Sequence, residues 1–278
     1  NLVDTGDTPN DIYQMVCDVA VENYEGTTKI DRKLCKQPVM TTPYGNKPYG
    51  RRKQVKDELR RRSTKLGDSF GFSDNAEIME ITKAIEVGIN KVVHKSRVLM
   101  DWLTDVAGVV AGHGLPMEWV TPFGFYVYQT YPENKQKRIK TQLNGVLKSY
   151  KPSLREIIPH TQKTEKAKNA ISPNFIHSLD AAHLMFTVND MRYEYGVKNL
   201  HVVHDCFGVH PDSVDLLVHN LKENFIEMYT GEGILDSFIE DYLKHYLDRH
   251  DYFKIVEQRP KVGTLNINDV RASKFFFS

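Results

Sequence analysis

Apolar positions in this 278-residue chain recur at helical spacing more often than they alternate. Thr8-Pro9-Asn10-Asp11 has the composition of a helix start, and Ile12, Val16, Val19 and Ala20 follow at helical spacing. Gly26-Thr27-Thr28 interrupts that pattern. Ile78, Ile81, Ile85, Ile89 and Val92, then Leu99, Leu103, Val106 and Val110, recur by three or four. They predict one long helix or a broken pair over 76–111, with a core-facing stripe to which His94 and Trp102 add structure rather than chemistry. Ser172-Pro173 predicts another start, an N-cap followed by a first-turn proline, for a helix through Phe175, Ile176, Leu179, His183, Leu184 and Met191. Asp212 is the expected cap of the next helix, whose stripe is Val214, Leu217, Leu221, Phe225 and Met228. A further helix is expected over 235–247.

Strand patterns are short. Trp119-Val120-Thr121 and Phe125-Tyr126-Val127-Tyr128, on either side of Pro122-Phe123-Gly124, predict a hairpin. In the run from Leu200, alternation puts Leu200, Val202 and His204 on one strand face and His201, Val203 and Asp205 on the other. Asp205 would then stand at a strand end. The segment 135–168 has little periodicity and contains Pro152 and Pro159, so it reads as an extended loop or a long hairpin. The tail ends in Phe275-Phe276-Phe277, which is costly to leave in water and is expected to dock. The predicted class is α+β, predominantly helical, with a small antiparallel sheet carrying the His204-Asp205 turn.

Composition changes this picture little, whereas the placing of charge changes it more. With 40% hydrophobic and 26% charged residues the chain reads as soluble and globular. No apolar run approaches the roughly 20 residues of a membrane span, no signal peptide is present, and the chain opens without Met, as a piece of a longer protein would. The overall charge of +1 hides a basic stretch, 135–168, with ten Lys or Arg against two Glu. An acidic stretch, 212–251, has ten Asp or Glu against three Lys or Arg. The first suits a polyanion and the second a solvated face. Cys17, Cys35 and Cys206 have neither metal-ligand spacing nor a disulfide pattern and fit a reducing compartment. The basic runs at 51–53 and 60–62 read as a mainly exposed helix face.

Chemistry is concentrated in two places. Arg32, Lys36, Met40 and Tyr44 stand four apart. On a helix they would form a line about 18 Å long: two cations for a triphosphate, a thioether and a phenol for a base and a sugar. Pro38 and Pro43 argue against a regular helix there, and an ordinary amphipathic surface helix is the alternative. The second place is His204-Asp205, where a carboxylate after a strand suits either a metal ion or a plain turn.

The pattern Arg-x3-Lys-x3-Met-x3-Tyr-Gly at 32–45 resembles motif B of the single-subunit, bacteriophage-type DNA-dependent RNA polymerases. His204-Asp205-Cys206-Phe207-Gly208 resembles their motif C, and Pro173-Asn174-Phe175-Ile176-His177-Ser178 a third signature. Trp119-Val120-Thr121-Pro122-x-Gly124, Asp11-Ile12-Tyr13 and Ser273 before the terminal Phe run also match, in order along the chain.

This resemblance implies DNA-templated RNA synthesis from ribonucleoside triphosphates by a two-metal mechanism. Lys36 and Arg32 would bind the phosphates, with Met40, Gly45 and Tyr13 lining the nucleotide site. Tyr44 would favour ribose, His177 would stand beside it, and Asp205 would hold Mg²⁺ with His204 on the primer-end side. A second aspartate would lie upstream of Asn1, so this chain alone is expected to be inactive. Residues 1–170 would be fingers, with a promoter-reading hairpin at about 129–163 carrying Arg138, Lys140, Gln142 and Asn144. Residues 171–278 would be the C-terminal palm with its docked tail. The implied partners are promoter and template DNA, nascent RNA and the rest of the polymerase. Phe207-Gly208 suggests a phage protein in an infected bacterial cytoplasm, with an organelle matrix as the alternative. A family A DNA polymerase fragment and a non-catalytic nucleic-acid-binding module are the rival readings. A family A DNA polymerase normally has Glu directly after the His-Asp pair and an aromatic where Met40 stands. Cys206 and Met40 therefore favour the RNA enzyme over the first, although many RNA polymerase relatives have Ser in place of Cys206.

Overall fold

A computed structural model describes residues 1–66, 75–138, 141–143, 146–150, 153–231 and 233–277. Five helices come first: α1 Ile12–Glu22, α2 Arg32–Met40, α3 Pro48–Leu66, α4 Asn75–Val92 and α5 His94–Gly112. Asp11 caps α1 by accepting from the Tyr13 and Gln14 amides, and Asp31 caps α2 through Leu34. The predicted helix over 76–111 is the broken pair, interrupted at Val93. Val16, Cys17 and Ala20 of α1, Leu34 and Val39 of α2, Val55 and Leu59 of α3, and the α4 isoleucines Ile78, Ile81, Ile85 and Ile89 form one buried cluster. Gly88 is required there, because a Cβ would come within 2.6 Å of the Val16 carbonyl oxygen. The basic α3 face is not uniformly exposed: Arg51 is only 3% exposed.

Hairpins follow. Strands β1 Met117–Val120 and β2 Tyr126–Gln129 pair antiparallel, closed by a turn in which Gly124 takes φ +84°. Strand β3 Asn134–Arg138 pairs antiparallel with β6 Ser153–Ile157, and β4 Thr141–Leu143 with β5 Val146–Tyr150, so the described part of the basic segment consists of two strand pairs.

Helix α6, Thr164–Tyr193, departs from the expected start at Ser172. It begins two turns earlier and carries Pro173 in its interior. Tertiary packing overrides the proline penalty: Ile171 and Phe175, on either side of it, are buried against α5 and β1. The Ser172 hydroxyl, expected as a cap, instead donates to the Pro43 carbonyl at 2.8 Å.

Strands β7 His201–Val203 and β8 Cys206–Gly208 make the smallest hairpin. A 3₁₀ turn, Pro211–Ser213, contains Asp212, and Ser213 rather than Asp212 occupies the N-cap of α7 Val214–Thr230. The expected α7 stripe holds at Leu217, Leu221 and Met228 but not at Val214. Leu217, Leu221, Ile226 and Met228 are buried, while Val214 is 44% exposed. The helix expected over 235–247 is divided into α8 Ile234–Phe238, a π turn Ile239–Leu243 and α9 Lys244–Tyr246. It packs on Trp102, Met117 and Trp119, with α10 Arg249–Glu257 closing the second cluster. Trp102 donates to the Ile255 carbonyl at 3.0 Å.

The third cluster seats the β7–β8 hairpin. Leu200, Phe207 and Val209 pack with Met191, Leu217, Leu221 and Phe276. Phe277 meets Phe207 edge-on at 5.6 Å, and the Lys222 ammonium donates to the Ser273 carbonyl at 2.7 Å. Among the described residues, no helix is long and apolar enough to cross a membrane.

Candidate active site

Helix α2 is amphipathic in the sense its sequence requires. Leu34, Cys35, Pro38 and Val39 are buried, while Arg32, Lys36 and Met40 face solvent together. The helix ends at Met40, so the fourth member of the expected line, Tyr44, is not helical. Pro38 lies inside the helix, buried, so it does not break α2 as its sequence suggested, and Pro43 lies in the turn beyond. The Thr41 and Thr42 hydroxyls donate to the Gln37 and Pro38 carbonyls at 2.9 and 2.8 Å, satisfying the last turn. Overlapping turns carry the chain through Tyr44 to Gly45, whose φ of +77° suits glycine.

That turn is docked on α6. With the Ser172–Pro43 bond as anchor, the Tyr44 ring stacks on His177, centroids 4.7 Å apart and planes inclined by 30°. The signature around His177 divides its labour. Asn174 donates to Gln129 of β2 at 2.8 Å, Phe175 is in the core, and Ser178 accepts from the Trp119 indole at 2.9 Å. His177 is left exposed towards Tyr44.

Cations and carboxylates meet the same face. The Arg32 guanidinium and Lys36 ammonium lie over the Tyr13 ring, 5.3 and 5.9 Å from its centroid. Arg32 is also ion-paired to Asp11, the α1 cap. Desolvation, then the Asp180 and Asp205 carboxylates and Tyr13, raise the Tyr44 phenol above its ordinary range, so at neutral pH it is an O–H donor. Asp180 is therefore a site neighbour that sequence reasoning left without a role. Its signal was its position three residues after His177, on the same helical face.

His204 and Asp205 form the two-residue tip between β7 and β8, and both are exposed. His204 does not continue the strand face with Leu200 and Val202. It has φ +51°, a left-handed value that closes the turn. Asp205 offers an oxygen donor of the kind Mg²⁺ takes, and Mg²⁺ commonly uses one or two carboxylates together with substrate phosphates. The residues thus fit part of such a site. Among the described residues, His113 just past the end of α5, Asp248 at the N-cap of α10 and Asp251 in its first turn bring three possible metal-donor atoms together, and Asp205 is not part of that group.

Of the expected DNA-reading residues, Arg138 lies on β3 and Gln142 on β4. Lys140 and Asn144 fall outside the described residues. Exposed Lys135, Lys137 and Arg155 mark the described part of the ribbon.

A model of the DNA-dependent RNA polymerase family matches residues 1–258. The chain is 32% identical to DNA-directed RNA polymerase 2B, chloroplastic/mitochondrial, of Nicotiana tabacum, over 90% of this chain and 23% of that protein. It is 32% identical to DNA-directed RNA polymerase 2A of the same plant, over 90% of this chain and 70% of that protein. It is 29% identical to the mitochondrial DNA-directed RNA polymerase of Mus musculus, over 98% of this chain and 24% of that protein. The chain thus spans about a quarter of the length of two of these three relatives. With its motifs brought together in this order on an α+β, mainly helical frame, the chain belongs to the single-subunit, bacteriophage-type family of DNA-dependent RNA polymerases.

Proposed function

We propose that this chain supplies the nucleotide-facing side and one metal-holding carboxylate of an enzyme that performs DNA-templated RNA synthesis. The observation that carries this reading is the stacking of Tyr44 on His177, with the Asp205 carboxylate acting on the same phenol. Three sequence motifs, far apart along the chain, address one surface.

Phosphoryl transfer asks for alignment and charge compensation more than for covalent help. Asp205, together with a further carboxylate, would hold Mg²⁺, which would supply positive charge to offset that of the phosphates. Lys36, exposed on α2, places a cation against the triphosphate, and its effect grows as charge gathers on the leaving pyrophosphate. Tyr44 donates its hydroxyl beside the sugar, and His177 fixes the ring from behind. One carboxylate does not hold two ions, so this chain alone is expected to be inactive. The basic ribbon of β3 and β6 is the proposed promoter contact, with Gln142 and Asn144 as base readers. The organellar relatives bring a chloroplast or mitochondrial setting ahead of the infected bacterial cytoplasm that Phe207-Gly208 suggested.

The test is Lys36→Ala in the complete polymerase. Expected is a fall in kcat/KM for ribonucleoside triphosphates of about a hundredfold, with DNA binding retained. An unchanged kcat/KM contradicts the assignment.

A further inference from the structure

Tyr44 is carried on a turn and not on α2, so the place of its hydroxyl depends on what holds Thr41 to Asn46. From one side the turn is held by Ser172 of α6, through the Pro43 carbonyl. From the other it is held by α3, through side chains that the proposed reaction does not use.

Thr41, Asn46 and Gln54 form a closed triangle of hydrogen bonds. The Asn46 Nδ2 donates to the Thr41 hydroxyl and to the Gln54 Oε1, at 2.8 Å each. The Gln54 Nε2 donates to the Thr41 hydroxyl at 3.2 Å. That hydroxyl donates onward to the Gln37 carbonyl at 2.9 Å, so its one proton and both lone pairs are engaged. Turning the Gln54 amide over would set its Nε2 against the Asn46 Nδ2, donor against donor, so the triangle fixes the amide's orientation. The backbone closes the same loop. The Asn46 amide donates to the Thr41 carbonyl at 3.2 Å, and the Asn46 carbonyl accepts from the Arg51 guanidinium. Tyr44 lies between the two ends so joined. Gln54 itself stands on a fixed element: Val55 beside it is fully buried in the first cluster, and Arg51 one turn earlier is buried too.

Gly50 is an independent mark of this arrangement. It stands in the first turn of α3, although glycine is a poor helix former. A Cβ there would collide with the Asn46 Oδ1. The missing side chain leaves the room in which the Asn46 amide reaches both Thr41 and Gln54.

We propose that Gln54, with Asn46, is a positioning residue for sugar selection: it fixes the turn so that the Tyr44 hydroxyl meets the ribose. This rests on Tyr44 being the sugar-side hydroxyl; Gln54 acts through it and not on the substrate.

The complete polymerase is given Gln54→Met, which keeps the length of the side chain and removes both hydrogen bonds, alone and together with Tyr44→Phe. The quantity read is kcat/KM for a ribonucleotide over kcat/KM for the matching deoxynucleotide. Expected is a fall of about fivefold in that ratio for Gln54→Met, and no further fall when it is added to Tyr44→Phe, because the group it positions is then gone. Gly50→Ala, which displaces Asn46 and leaves Gln54 in place, should lower the ratio in the same way and serves where Gln54→Met does not fold. Equal losses with both sugars, as a merely structural role would give, overturn the proposal. So does an equal fall of the ratio with and without Tyr44→Phe. A ratio lowered by Tyr44→Phe but by neither Gln54→Met nor Gly50→Ala overturns the proposal alone, whereas a ratio that Tyr44→Phe leaves unchanged overturns the role of Tyr44 and the proposal with it.

Discussion

Tyr44 and His177 stack with their ring centroids 4.7 Å apart, one on the turn that leaves α2 and the other on the exposed face of α6. The stack couples the turn after α2 to a helix tied to its neighbours at Ser172, at Asn174 and at Ser178.

Tyr44→Phe keeps the stack and removes the hydroxyl. In the complete polymerase the preference for ribo- over deoxynucleotides should fall by about tenfold, the worth of one hydrogen bond, with little change in stability. Competing incorporation of the two nucleotide types measures it. An unchanged preference removes Tyr44 from sugar selection.

Ser178→Ala leaves the Trp119 indole N–H without its acceptor in a residue only 3% exposed. The cost should be about 1–3 kcal/mol in urea unfolding. Catalysis should suffer through His177, one residue away. Ser178→Thr should restore much of both.

His183 is a pH-sensitive point of the fold. Burial pushes its pKa below the ordinary 6.5, and its Nε2 meets the Leu221 carbonyl at 2.8 Å, so the native imidazole is neutral with Nε2 as donor. The unfolded chain then binds the extra proton first. Stability from this group is complete above pH 6.5 and declines as pH falls through and below it. His183→Gln, which can still donate to Leu221, should flatten the decline in unfolding free energy between about pH 7 and 5. A variant with the native pH profile places the titration elsewhere.

Much of this architecture was legible from the chain. The α4–α5 stripe, the Asp11 start, the β1–β2 hairpin and the predominance of helix all follow from local pattern. The misreadings share a cause, contacts distant in sequence. Pro173 sits inside α6 because Ile171 and Phe175 are buried around it, and no local rule reveals that. Tyr44 leaves the helical line because the last turn is closed by threonine hydroxyls and the chain then docks on Ser172. Arg51 reads as one more charge in an exposed basic run, yet Glu86 on α4 draws it inside. At the site, His177 and Asp205 were legible by resemblance, whereas Asp180 needed the fold to bring it beside Tyr44.

The most direct test is Asp205→Asn in the complete polymerase, an isosteric change at an exposed hairpin tip that should leave folding intact. RNA synthesis on a promoter template, with promoter binding measured in parallel, gives the answer. Expected is a loss of about a thousandfold or more in synthesis, as several kcal/mol of metal-borne charge stabilisation goes, with DNA affinity unchanged. Synthesis at close to the native rate would show that Asp205 is a turn residue and not a metal ligand.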